Sequence, residues 1–95
     1  MRARLITPDR TVPVILDDLS DRGAKITLPE PHDFVVAVLR WMDVHAFADV
    51  RWREGLAIGL EFATPLEAEV LERTRLYAPE LVSQLDSAAA NIRYC

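Results

Sequence analysis

Asp18, Ser20 and Gly23 stand in a D-x-S-x-x-G pattern, with Arg22 inside it. These residue types can meet a polar ligand. A carboxylate accepts hydrogen bonds, a hydroxyl both donates and accepts, and a glycine permits close backbone approach. The same six residues can also make a plain turn between strands. Asp and Ser then bond to nearby backbone, and Gly23 supplies a positive φ.

Other chemistry is sparse. His32 follows Pro31 in a loop, and His45 falls on the outward face of a strand. Two histidines without a nearby cysteine do not have metal-ligand spacing. Ser20 lies in no nucleophile-elbow pattern. No catalytic residue, metal or cofactor is assigned, and the chain reads as a non-enzyme. Trp41 and Trp52 end adjacent strands, as plugs of a core or as a platform on which a base stacks. Arg51 and Arg53 flank Trp52, but a net charge of −4 gives no global field for nucleic acid.

The elements that must hold these groups are mostly strands. Arg4-Leu5-Ile6 is followed by the turn Thr7-Pro8-Asp9. Thr11 to Leu19 puts Val12, Val14 and Leu16 on one face, and Pro13 implies an edge position or a bulge. Ala24, Ile26 and Leu28 alternate with Lys25 and Thr27. Phe34 to Met42 forms a fourth run ending at an Asp43 turn. Val44, Ala46, Ala48, Val50 and Trp52 then share a face. After the Glu54-Gly55 turn, Leu56, Ile58, Leu60 and Phe62 complete a sixth strand. Six short strands with frequent turns predict a closed or nearly closed all-β antiparallel barrel over residues 1–64.

Residues 65–92 read as a C-terminal helix. Thr64-Pro65-Leu66-Glu67 carries a capping box with proline at the first helical position. Leu66, Val70, Leu71, Thr74 and Tyr77 keep helical spacing, and Pro79 kinks or restarts the helix. Leu81, Leu85 and Ala88 continue an apolar stripe that packs on the barrel, on a second copy or on another protein. Glu67, Glu69, Glu72, Arg73 and Arg75 form a solvated face. With 51% hydrophobic and 27% charged residues the chain is an ordinary globular domain. A single cysteine, Cys95, and no apolar run long enough for a signal or a span point to the cytoplasm and away from membrane insertion.

The order of motifs resembles the PilZ family over roughly residues 3–75. Asp18-x-Ser20-x-x-Gly23 ends the second strand and is followed by Ala24-Lys25-Ile26. Val50-Arg51-Trp52 and Ile58-Gly59-Leu60-Glu61-Phe62 come later, before a trailing helix. The resemblance implies a six-stranded barrel and a regulatory receptor for cyclic di-GMP, a bacterial second messenger. It implies ligand contacts from Asp18, Ser20 and Gly23, together with an R-x-x-x-R pair on an arm before the first strand.

This sequence contains no R-x-x-x-R; Arg2 and Arg4 are spaced by two and share a sheet face. Charge-assisted hydrogen bonds contribute about 1.5–3 kcal/mol each. Losing two arginines therefore removes roughly 3–6 kcal/mol, about a hundred- to ten-thousand-fold in affinity. Two readings stand. The domain has lost the ligand and acts through protein contacts, or Arg2, Arg4, Arg22 or an arm upstream of Met1 supplies the cations.

Overall fold

A computed structural model describes residues 1–81. Six antiparallel strands close into a barrel in the order β1-β2-β3-β6-β5-β4. They are β1 (Arg2–Ile6), β2 (Thr11–Leu19), β3 (Gly23–Thr27), β4 (Val36–Trp41), β5 (Val44–Glu54) and β6 (Ala57–Phe62). Period-two alternation drives the closure. Leu5, Leu16, Ile26, Leu39 and Ile58 point inward and are fully buried. Their neighbours along each strand face out.

Pro13 is accommodated by register. Met1 and Leu16 exchange backbone hydrogen bonds, so alternation along β2 turns the nitrogen of Pro13 away from β1. It faces the β3 side, where pairing begins only at Ile15. Pro13 thus behaves as an edge residue within a closed barrel, and the bulge in β2 lies elsewhere, at Asp17 between Leu16 and Asp18.

The helix begins later than its capping box predicts. Helix α1 spans Ala68–Tyr77 with Glu67 at the N-cap and no side-chain cap. The Leu66 amide donates to the Asp21 carbonyl at 2.7 Å, which ties this segment to the β2–β3 loop in place of a first helical turn. A tertiary bond therefore overrides the local T-x-x-E signal. Pro79 does restart the backbone, as a short 3-10 turn over Pro79–Leu81.

α1 closes one end of the barrel. The Trp41 indole, fully buried and stacked near Phe62 at 6.1 Å between ring centroids, donates to Thr74 Oγ1 at 3.0 Å. Thr74 in turn donates to the Val70 carbonyl at 2.9 Å. Leu81, in the 3-10 turn that packs on β2 and α1, is fully buried. Arg73 pairs with Asp43, and Arg75 donates to the Leu19 carbonyl. Arg75 is a fastener, whereas the Arg73–Asp43 pair stays on the solvated face. Tyr77, expected on the packed stripe, is exposed. Leu85 and Ala88 of that stripe lie outside the described residues.

Candidate functional site

Two bulges build one concavity on the outer wall of the barrel. In β2 the ladder passes from Leu16 opposite Ile26 to Asp18 opposite Lys25, so Asp17 is an extra residue. Strict alternation from Leu16, with Asp17 an ordinary strand residue, would put Asp18 on the inward face. The bulge turns Asp18 outward and sends Leu19 into the core. In β5 the ladder passes from Val50 opposite Leu60 to Trp52 opposite Gly59, which makes Arg51 the extra residue. Trp52 is thereby moved from the inward face, where strict alternation puts it, to the outside, where it is 44% exposed.

The two displaced side chains fall in one cross-strand row. Asp18 opposes Lys25, Lys25 opposes Gly59, and Gly59 opposes Trp52. Four strands at about 4.8 Å spacing make this row roughly 14 Å long. The indole of Trp52 lies flat over Gly59, where a Cβ would stand 2.1 Å from the indole Nε1. Glycine at 59 is what lets the ring lie down. The row lines a concavity of about 530 Å3 that also takes in Ser20, Arg22 and Arg51.

Ser20 is occupied by the turn. Its hydroxyl oxygen accepts from the amides of Gly23 at 3.2 Å and Arg22 at 3.3 Å, and its hydroxyl reaches the Gly23 carbonyl. Gly23 is not in the left-handed region, so the positive φ expected of it is absent. Its role is steric. A Cβ there would stand 2.2 Å from the Leu60 carbonyl oxygen, because β6 passes directly against it. The loop is held from outside by the Phe62 amide donating to the Arg22 carbonyl at 2.7 Å.

Asp18 differs from Ser20. Its Oδ1 is shielded from solvent and has no hydrogen-bond partner among the described residues. A shielded carboxylate oxygen without a donor is costly to maintain and marks a place for a donor to arrive. Arg51 is paired with Glu61 at 2.8 Å, whereas Arg22 and Lys25 have no ion-pair partner among the described residues. The concavity thus offers an acceptor, a flat aromatic face and two uncommitted cations.

The chain matches no family model, no curated protein and no solved structure. The geometry is therefore the ground for a functional reading. It brings Asp18, Ser20, Arg22 and Gly23 together. Arg2 and Arg4 do not line this concavity; they lie along a different groove with Arg40.

Three further placements bear on the expected chemistry. His32 is packed rather than free. Its Nε2 lies 3.2 Å from Thr7 Oγ1 and 3.4 Å from Asp9 Oδ1, and its ring is tilted against Phe34. Arg53 spreads its guanidinium over the Phe34 ring and bonds to the His32 and Phe34 carbonyls. It is a structural clasp. No helix among the described residues is long and apolar enough to cross a membrane. The signal that finds Trp52 in sequence is its pairing with a glycine on the next strand, but the β5 bulge that turns it outward leaves no local mark.

Proposed function

We propose that this barrel is a PilZ-type, non-catalytic signalling module. Its cyclic di-GMP site is the Asp18–Trp52 concavity, built for the guanine edge and incomplete for the phosphates. The observation that carries the reading is the shielded, unpartnered Asp18 Oδ1, set by one bulge into the same row where a second bulge lays Trp52 open. Bulges concentrate beside functional sites because they re-aim side chains. A carboxylate accepts from the N–H groups of a guanine edge, and an indole face stacks on a purine. Arg22 and Lys25 supply charge but not the paired guanidinium forks that hold phosphates bidentately.

Binding is accordingly weak, by the hundred- to ten-thousand-fold worked out from two missing charge-assisted contacts. The test is a calorimetric titration of the full chain with cyclic di-GMP at near-physiological salt. The expected result is saturable binding well weaker than about 10 µM, lost in Asp18→Asn. A tighter constant overturns the incomplete-site reading. No binding at millimolar ligand overturns the receptor reading and leaves the barrel as a protein-interaction adaptor. The exposed Val35, Val36 and Phe47 on the β4–β5 wall are the surface that such an adaptor offers.

A further inference from the structure

On the opposite side of β2 from Asp18, three arginines lie together with no carboxylate in ion-pair contact among the described residues. Arg4 of β1 is directly opposed to Arg40 of β4, and Arg2 is the next outward residue along β1. His45 of β5 continues the row beyond Arg40. Among the described residues, none of the three guanidinium groups has a carboxylate or a hydrogen-bond partner. Like charges directly opposed on a ladder are unfavourable. A chain of net charge −4 has acids enough to separate them, yet it concentrates three cations here.

The arginines border a groove of about 910 Å3 whose other lining includes Pro13, Ile15, Pro29 and Met42. Ile15 is half exposed on its floor. This groove shares no lining residue with the Asp18 concavity. Its size is that of a site for a small organic molecule. Guanidinium forks match phosphate oxygens bidentately, and three on one wall can satisfy a doubly charged group. The apolar floor then receives a flat or aliphatic body attached to it.

We propose that the Arg2–Arg4–Arg40 groove is a second binding site, for a phosphate-bearing organic ligand with an apolar body. It is independent of the Asp18 concavity and does not rest on the reading given for that concavity.

The experiment is an NMR titration of the full chain at constant ionic strength with two probes, inorganic phosphate and adenosine 5′-monophosphate. The expected result is saturable shifts of the Arg2, Arg4 and Arg40 side-chain N–H signals and the Ile15 amide. The nucleotide should bind at least about threefold more tightly than phosphate, since apolar contact adds to charge. Arg40→Gln should weaken nucleotide binding about tenfold or more, while Arg40→Lys, which keeps charge and loses the fork, recovers only part of it. Thermal melting supplies a second readout, because relieving a like-charge pair leaves the midpoint of Arg40→Gln unchanged or raised. Four results overturn the proposal. They are equal binding of the two probes, shifts spread over all surface cations, shifts centred on the Trp52 indole and Gly23, and a lowered midpoint in Arg40→Gln that marks a structural role.

Discussion

Thr74→Val removes one hydroxyl from the contact that fastens the helix to the barrel. Valine matches threonine in shape, so the packing around position 74 is retained while the polar link is lost. In the native chain the buried Trp41 indole N–H has Thr74 Oγ1 as its acceptor at 3.0 Å. Removing that acceptor strands a donor in the core, which costs about 1–3 kcal/mol. The added methyl returns a fraction of this, so a net loss of about 1–2 kcal/mol is expected. For a domain of this size each kcal/mol moves the melting midpoint by about 4–8 °C, giving a fall of roughly 4–16 °C. Calorimetry or circular dichroism reads the shift. The companion variant Trp41→Phe removes the donor itself, and the double variant then has no stranded group. A coupling energy of about 1 kcal/mol in the resulting cycle is expected. A fall below about 2 °C in Thr74→Val, or strictly additive single variants, refutes the assignment of this bond as the latch.

Gly23→Ala drives a Cβ into the Leu60 carbonyl, a backbone atom that cannot turn aside, so a loss of about 1–3 kcal/mol or more is expected by denaturant titration. Gly59→Ala meets the Trp52 indole first, a half-exposed side chain rather than backbone; stability should change little while Trp52 emission moves to the red. Met42 holds φ at 52° in the β4–β5 turn, and Met42→Gly relieves a left-handed conformation costing about 1–2 kcal/mol, so the melting midpoint should rise. The Thr7 hydroxyl donates to Asp9 at 2.8 Å and, with lesser help from His32 and Arg10, holds the Asp9 carboxyl below its ordinary value of 3.8. A depressed carboxyl stabilises the fold above its unfolded value, and that contribution is lost as pH falls through the lower folded value. Thr7→Val should return the Asp9 titration, followed by NMR, toward the ordinary value.

Much of the barrel was legible because its core obeys strict alternation. Val12, Val14 and Leu16, Ala24, Ile26 and Leu28, and Ile58, Leu60 and Phe62 are inward as their period requires. The features that make the site were not. Asp17 and Arg51 are ordinary strand residues, and nothing in their type marks a bulge, yet each reverses the inward–outward phase of the residues after it. Alternation consequently put Trp52 inside. Ser20 and Gly23 were legible as a motif, but the reason for Gly23 lies 37 positions away, in the carbonyl of Leu60. The helix start was misplaced for a similar cause, since Leu66 answers to Asp21 across the fold and not to its own neighbours. Long-range contacts that leave local patterns intact are the part of this structure that sequence reading does not reach.

The most direct test of the Asp18–Trp52 site is a two-dimensional 1H–15N NMR titration of the full chain with cyclic di-GMP, followed at the Trp52 indole N–H. That signal is distinct from the Trp41 indole, which is buried against Thr74 on the closed end of the barrel. The expected result is a saturable shift of the Trp52 indole together with the amides of Asp18, Gly23 and Lys25, at ligand concentrations well above about 10 µM, and with Trp41 unmoved. A Trp52 indole that stays in place up to millimolar ligand, or that moves equally in Asp18→Asn, contradicts it.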